Sequence, residues 1–85
     1  MTLFFFMHYW SPLLVDYQET AIHIGKQIKS KRKEKKLSQL DLASLCLCNM
    51  ERSNLSRIES GKSNLTLQTM VSIAAALEVD LKELF

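Results

Sequence analysis

Proline and glycine are scarce in this chain, with one proline and two glycines among 85 residues. This composition leaves little room for the tight turns that join the strands of hairpins. The β-branched residues are scattered and never alternate with polar residues over a useful length, so the pattern of a half-buried strand is also missing. We therefore predict an all-α fold. A chain of this length forms one small domain, whose core is marginal without help from a partner.

The sequence also lacks the groupings typical of metal sites and active sites. Cys46 and Cys48 are two positions apart, too close for an unstrained disulfide in a helix or strand. His8 and His23 lie far upstream, so zinc-ligand spacing is absent. The sequence contains no carboxylate pair, Cys-His pair or phosphate-binding glycine loop that would indicate catalysis. We expect no enzyme activity, no metal and no cofactor, and two reduced thiols in a cytoplasmic protein.

Residues 1–15, which we call the N-terminal arm, are apolar, rich in aromatic residues and almost uncharged. The arm lacks the basic start of a signal peptide and is too short to span a membrane. Three interpretations stay open: packing on the domain or on a second subunit, weak insertion into a membrane surface, or a disordered leader. Exposed aromatic side chains promote aggregation, so we favour packing and expect no membrane partner. Residues 16–85 form the domain itself.

The net charge is only +2, but the basic residues are unevenly distributed. Between positions 26 and 36 seven of them stand against one acid, Glu34. Clustered positive charge is typical of nucleic-acid binders, although a charge run alone more often marks a solvated helix face. Next to the helix pattern described below, we interpret the run as a phosphate-contacting segment. Its members are Lys26, Lys29, Lys31, Arg32, Lys33, Lys35 and Lys36.

Residues 16–36 have the pattern of a long first helix. Asp16 is placed to cap its start, with Glu19 three positions later. Gly25 inside this helix costs about 1 kcal/mol relative to alanine. The next position of the buried stripe is Arg32, and a buried charge there requires a partner. The apolar members of the stripe are Tyr17, Ala21, Ile24 and Ile28.

Residues 37–61 have the pattern of two short helices separated by a tight turn. Ser38 is a strong N-cap residue for the first of them, and Asp41 is placed to complete a capping box. Asn49 is the expected chain reversal, because asparagine tolerates the left-handed backbone better than most residues. The apolar stripe of this helix is Leu42, Ala43, Leu45 and Cys46.

The second short helix combines an apolar inner side with a cationic outer side. Leu55 and Ile58 point inward, and Gly61 stands where a glycine commonly ends a helix. A helix of this kind is suited to the major groove of DNA. The residues that point elsewhere are Arg52, Ser53, Asn54, Ser56 and Arg57.

Two further helices are expected toward the C-terminus. Thr66 caps a fourth helix that runs to about Leu77, and Asp80 caps a short last helix from Leu81 to Leu84. The apolar face of the fourth helix is predicted to be Leu67, Met70, Val71, Ala74 and Leu77.

In this order and at these spacings, the chain resembles the DNA-binding core of the Cro and phage-repressor family of helix-turn-helix proteins. The resemblance covers residues 24–85. It implies a five-helix lambda-repressor-like DNA-binding domain, here with an aromatic N-terminal extension. The matching motifs are Leu37-Ser38-Gln39, Leu42-Ala43, Ser53 through Gly61 with Arg57-Ile58-Glu59 inside it, and Ala74-Ala75-Ala76-Leu77.

The resemblance also implies roles for individual residues. An ion pair would join Arg32 and Glu59. The base edges of DNA would be read by Arg52, Ser53 and Arg57. Phosphates would be contacted by Gln39, at the start of the second helix, and by the small polar loop of Lys62, Ser63 and Asn64, whose exposed amides suit phosphate oxygens. A two-fold dimer contact would use Leu81, Leu84 and Phe85.

The turn between helices two and three departs from the family pattern. With the alignment anchored on Arg57-Ile58-Glu59, the cap of helix three falls at Glu51, eight residues after Ala43. The family usually has about six, so two extra residues fall around positions 45–48. Two residues rotate a continuing helix by about 200°. The insertion must therefore be absorbed in the turn or by a longer helix two, or helix three is mis-aimed. Asn49 could instead cap an earlier helix three.

Two functions follow from these features. The first is a sequence-specific regulator of transcription that binds double-stranded DNA, as a homodimer on a palindromic operator. The second is a protein-interaction module or antitoxin-type protein that uses the same fold and grips a partner with the N-terminal arm. Salt-dependent binding to duplex DNA distinguishes the two.

Overall fold

A computed structural model describes residues 16–47 and 49–85. The predicted N-terminal arm and Cys48 lie outside the described residues. Within these ranges the chain is all-α, as predicted, and contains no strand. The described residues form four α-helices, followed by a 3₁₀ helix where the sequence predicted a fifth helix. They are α1 (Tyr17–Glu34), α2 (Gln39–Leu45), α3 (Arg52–Glu59), α4 (Leu67–Leu77) and the 3₁₀ helix (Leu81–Leu84).

The helix starts follow the local capping signals in the sequence. The Asp16 carboxylate accepts from the backbone N–H groups of Gln18 and Glu19. At the start of α2, Ser38 and Asp41 form the predicted capping box, in which each side chain accepts from the other residue's backbone N–H. At the start of α4, the Thr66 hydroxyl accepts from the backbone N–H of Thr69. These bonds satisfy amide groups that have no partner inside the helix.

Three helices end in the same hydrogen-bond pattern, in which the chain turns through a left-handed residue. After α3 this residue is Gly61, as predicted, with φ at 77°. After α1 and α4 it is a residue with a side chain, Lys36 at 59° and Glu78 at 60°. The N–H of the left-handed residue and the N–H after it both bond back to carbonyls of the last helical turn. Because of this turn, α1 ends at Glu34 rather than near Lys36.

The core lies where the four described α-helices and the 3₁₀ helix meet. Its fully buried side chains come from all five elements: Ile28, Leu42, Leu55, Ile58, Ile73, Leu77 and Leu84. Leu84 was predicted to lie at a dimer surface, and that prediction is wrong, because the 3₁₀ turn directs this side chain into the core.

Several predicted core positions are instead exposed. Tyr17 and Leu45, at the first and last positions of α1 and α2, are 56% and 53% exposed. Leu67 and Val71 of α4 are 68% and 48% exposed, because α4 instead turns Met70, Ile73, Ala74 and Leu77 toward the core. Helical spacing identifies one face of a helix but not how much of that face another element covers.

The two-residue insertion is absorbed in the turn and does not lengthen α2. The helix ends at Leu45, and Cys46 already has an extended backbone with φ at −76° and ψ at 140°. Asn49 takes the predicted left-handed conformation with φ at 53°. Glu51 then occupies the predicted N-cap position of α3, although its side chain makes no capping hydrogen bond. The aim of α3 is therefore set by its own buried side chains and not by a rotation carried through α2.

Candidate nucleic-acid interface

The α3 helix has one buried side and one exposed polar side. Leu55, Ile58 and Glu59 are buried, with Leu55 fully so. Since the buried positions anchor the helix to the core, the opposite side is fixed in direction and open to a partner. The exposed residues on it are Arg52, Ser53, Asn54 and Arg57.

A buried ion pair joins the last residue of α3 to α1. The Nε of Arg32 lies 2.7 Å from Oε2 of Glu59, and Nη2 donates to Oε1 over 3.1 Å. The side chains are 9% and 3% exposed, so this two-point contact is held away from water. The remaining terminal nitrogen, Nη1, donates to the backbone carbonyl of Leu37 over 2.7 Å. Arg32 thus fixes both the end of α3 and the residue before the cap of α2.

Gln39 extends this network to the exposed side of α3. Its Nε2 donates to Oε1 of Glu59 over 3.0 Å, and its Oε1 accepts from Nη1 of Arg52 over 3.3 Å. Gln39 is the first residue of α2, and Arg52 is the first residue of α3. Four residues singled out in the sequence therefore form one chain of contacts that runs from the core to the surface, in the order Arg32, Glu59, Gln39 and Arg52.

Arg57 lies at the other end of α3 and bends back toward the loop after the helix. Its Nη2 donates to the backbone carbonyl of Lys62 over 3.1 Å. Arg52 and Arg57, predicted together as base-reading residues, thus have different surroundings. At the start of α3, Arg52 donates to the side-chain carbonyl of Gln39. Near the end of α3, Arg57 donates to a backbone carbonyl. Ser53, beside Arg52, is exposed.

The loop after α3 is anchored by a tyrosine that the sequence analysis had assigned to the core. The hydroxyl of Tyr17 donates to Oδ1 of Asn64 over 3.1 Å and accepts from the N–H of Leu65 over 3.3 Å. The Ser63 hydroxyl lies 3.4 Å from the carbonyl of Asn64, and Lys62 extends into solvent. The amide nitrogen of Asn64 and the Lys62 ammonium are the groups of this loop suited to phosphate.

The basic run of α1 is partly used within the protein. Arg32 is in the buried ion pair. Lys31 lies 3.5 Å from Glu83, and Lys35 lies 3.3 Å from Glu78. These exposed contacts connect α1 to the C-terminal part of the chain. Three of the seven basic residues thus have acidic partners within the protein, and the phosphate role of the run stays a prediction.

The sequence did not reveal Tyr17 as an anchor of the loop, and it placed Asn54 on the outer side of α3 without assigning it a role. The contacts of Tyr17 join residues 47 and 48 positions apart, and no local pattern reveals such a distant partner.

A second exposed surface is apolar. Side chains of the inserted turn and of α4 line a groove beside Leu47, which is 87% exposed. Among the residues that the structure describes, none of the helices is long and apolar enough to cross a membrane. The residues of the apolar groove are Leu47, Leu67, Gln68, Val71, Ser72 and Ala75.

Known proteins share this architecture. The family model described as helix-turn-helix, HTH_3, matches residues 28–84. Control protein C.MunI of a Mycoplasma species is 40% identical over 68 residues, which cover 79% of this chain and 89% of that protein. The immunity repressor of Bacillus phage phi105 is 41% identical over 56 residues, and the match spans 66% of this chain but only 38% of that repressor.

Solved structures agree with these similarities. The crystal structure of the restriction-modification controller protein C.AhdI from Aeromonas hydrophila has a TM-score of 0.76 and 31% identity. The matched region covers 84% of this chain and 100% of that chain. A regulator of the same family from Vibrio cholerae has a TM-score of 0.74 and 30% identity, over 81% of this chain and 38% of that one.

Proposed function

Because the chain belongs to the helix-turn-helix family HTH_3, we propose that it reads a specific duplex sequence through α3, as a homodimer on a palindromic operator. Members of this family are DNA-binding regulators of transcription and not enzymes. This chain is likewise a DNA-binding regulator and not an enzyme. We place its action in the cytoplasm. The observation that carries the proposal is the exposed polar side of α3, fixed in direction by Leu55 and Ile58 beneath it.

Base reading is assigned to Arg52, Ser53 and Arg57. Arg52 is at the start of α3, the end that enters the major groove in helix-turn-helix proteins. An arginine fork matches the paired acceptors of guanine, so we expect guanines in each half-site. Arg57 must leave the Lys62 carbonyl to reach a base, which makes its contact dependent on the conformation of the loop.

Phosphate contacts are assigned to residues on both sides of α3. Gln39 lies at the N-terminal end of α2, where backbone amides and the helix dipole favour an anion. Lys62, Ser63 and Asn64 lie on the loop after α3, held by Tyr17. Contacts of this kind set the position of a protein on the duplex, while base contacts provide specificity.

A dimer of this chain would use its C-terminal surface. Leu84 is not available, since it is buried in the core. Phe85 keeps 56% of its surface exposed, and its backbone oxygen lies 2.7 Å from Nε2 of His23 on α1. Leu81 is partly buried against the core. A two-fold contact through these residues would present two α3 helices about 34 Å apart, one turn of B-DNA.

The function is tested by selecting bound sequences from random duplex DNA with the purified chain. An enriched palindrome with guanine in each half supports the proposal, and recovery of unrelated sequences contradicts it. The Ser30→Ala variant, changed at an exposed position of α1, serves as the control and should select the same sequence. Binding to the enriched duplex should weaken steeply as the salt concentration rises.

The alternative function, contact with another protein, is supported by the apolar groove of Leu47 and α4. Sedimentation of the Phe85→Ser and Val71→Ser variants separates the two surfaces. Loss of the dimer in Phe85→Ser alone supports the C-terminal contact. Loss in Val71→Ser alone assigns the dimer to the groove. A dimer that persists in both variants, in a chain that does not bind duplex DNA, favours the protein-interaction module.

A further inference from the structure

We propose that Glu59 is a positioning residue for DNA reading, acting through the amide of Gln39 on the guanidinium of Arg52. This inference rests on the proposed function. The sequence assigned Glu59 only to a structural ion pair with Arg32. In the structure the same carboxylate also accepts from Gln39, and Gln39 in turn accepts from Arg52. The last residue of α3 is thereby connected to its first residue through a side chain of α2.

The chemistry of the three groups allows one orientation of the Gln39 amide. An ionised carboxylate only accepts hydrogen bonds, and a guanidinium only donates them. The amide nitrogen of Gln39 must therefore face Glu59, 3.0 Å away, and its oxygen must face Arg52, 3.3 Å away. A reversed amide would set its oxygen against the carboxylate and its N–H groups against the guanidinium. Both contacts would be unfavourable.

Glu59 is able to enforce this orientation because it cannot turn away. Its side chain is 3% exposed, and Arg32 holds both of its oxygens, at 2.7 Å and 3.1 Å. Arg32 is itself fixed by the carbonyl of Leu37, two residues before Gln39. Glu59, which orients the Gln39 amide, is thus fixed in the core. Arg52, at the other end of the chain of contacts, is exposed.

The consequence for binding is that phosphate and base contacts are coupled. The Gln39 amide has two N–H groups. One donates to Glu59, and the second is the donor that a phosphate would take. The carbonyl meanwhile restrains Arg52. A protein in which the amide can turn would lose the restraint on Arg52, and its discrimination at the base that Arg52 reads would fall.

The experiment compares Glu59→Gln and Gln39→Met with the wild-type chain on the selected duplex. It measures the ratio of Kd values for the duplex with guanine and with another base at the position read by Arg52. Gln39→Met keeps the length of the side chain and leaves the Arg32–Glu59 pair intact, so it tests the inference even if Glu59→Gln folds poorly. Thermal melting of each variant identifies any loss of folded protein.

A bidentate arginine contact discriminates between bases by about 5- to 150-fold. We expect both variants to lower this ratio at least threefold at the Arg52 position and to leave ratios at other positions unchanged. In an Arg52→Ala background, neither substitution should lower the ratio further, since the effect passes through Arg52.

Three outcomes overturn the inference. One is a wild-type ratio that survives in either variant as folded protein. Another is an equal loss of affinity at every base position, which would make Glu59 a purely structural residue. A wild-type chain that binds all duplexes alike overturns the proposed function as well. Because the wild-type ratio is measured first, failure of the proposed function is distinguished from failure of this inference.

Discussion

Gly25 of α1 lies so close to Ile58 of α3 that a Cβ atom at position 25 would stand 2.5 Å from the Ile58 carbonyl oxygen. The carbonyl oxygen of Glu59 would be 2.6 Å away. Both atoms belong to the backbone and cannot rotate aside as a flexible side chain would. Gly25 therefore permits the close crossing of α1 and α3 that brings Arg32 to Glu59.

Replacement of Gly25 by alanine should destabilise the domain. Helix propensity alone favours alanine by about 1 kcal/mol, but the contact with two carbonyls forces α1 and α3 apart. We expect a net loss of about 1–3 kcal/mol, measured by urea unfolding followed by circular dichroism. Ser30→Ala, at an exposed position of the same helix, is the control and should be neutral or slightly stabilising. A rise in stability of Gly25→Ala would contradict the close packing.

Removing one partner of the Arg32–Glu59 pair should destabilise the domain strongly, whereas replacing both partners by apolar residues should destabilise it much less. Glu59→Ala leaves a buried guanidinium with fewer acceptors, so we expect a loss of about 3–5 kcal/mol. Replacing both partners by apolar residues, as in Arg32→Met with Glu59→Leu, should recover most of that loss. The measurement is the free energy of unfolding in urea.

An exposed ion pair provides the comparison for this experiment. Lys35→Ala removes the contact with Glu78 and should cost at most about 1 kcal/mol. If Glu59→Ala costs no more than Lys35→Ala, the buried pair does not hold the end of α3.

At the left-handed positions that end the helices, we expect a substitution to glycine to stabilise the domain and a substitution to alanine to destabilise it. Lys36 adopts φ 59° with a side chain, so Lys36→Gly should relieve strain of about 1–2 kcal/mol, partly offset by the greater freedom of glycine in the unfolded chain. Gly61→Ala should destabilise, because its φ is 77° and a Cβ there would stand 2.6 Å from Cγ1 of Ile22. Melting temperatures compare the two. Movement of both in the same direction would contradict this account.

Much of the fold follows from local signals. Asp16, Ser38 and Thr66 cap helices in the structure as their positions in the sequence predict, because a cap bonds to amides only two or three residues away. The left-handed turn at Asn49 is local in the same sense. The buried stripe failed at Tyr17 and Leu45, since helical spacing identifies a face but not whether another element covers its end.

The sequence suggested individual residues of the candidate site, but not the hydrogen bonds that join them. The sequence suggested Gln39 and Arg52 separately, one for phosphate and one for a base. Their contact joins residues 13 positions apart across the inserted turn, and the contact of Gln39 with Glu59 spans 20 positions. Such contacts depend on how α2 and α3 cross. That crossing was in doubt as long as the insertion could have rotated α3.

Acid should weaken the domain partly through two capping carboxylates. The backbone N–H of Ser38 lowers the pKa of Asp41, and the backbone N–H of Asp80 lowers the pKa of Glu83. A carboxyl whose pKa is lower in the folded state stabilises above its unfolded pKa, and this stabilisation is lost as pH falls through the folded pKa. The unfolded values are 3.8 and 4.5, so the loss falls below about pH 4.5.

The measurement is the melting temperature of the wild type and of Asp41→Asn with Glu83→Gln, from pH 7 down to pH 2.5. The double variant should be less stable at pH 7 and should decline less on acidification. The two curves should approach each other at the lowest pH, where the wild-type carboxyls are protonated. Parallel curves would show that these caps do not contribute to the acid sensitivity.

Base-reading and phosphate-contacting residues should respond differently to substitution. Arg52→Ala should cost about 1–3 kcal/mol per subunit on the selected duplex and relax the preference at one base position. Lys62→Ala removes one cationic side chain but keeps the backbone bonds of the turn, in which the Lys62 N–H donates to Arg57. It should weaken selected and scrambled duplexes alike and reduce the salt slope by about one.

The assay is a binding titration of each variant on both duplexes at two salt concentrations. Ser30→Ala, at an exposed position of α1 to which no DNA contact is assigned, is the control and should bind both duplexes like the wild type. An equal loss on both duplexes for Arg52→Ala would make Arg52 a backbone contact, and it would indicate that the two extra residues in the turn have changed the aim of α3. A loss of affinity for the selected duplex alone in Arg52→Ala would show that Arg52, the first residue of α3, contacts the bases despite the two extra residues in the turn.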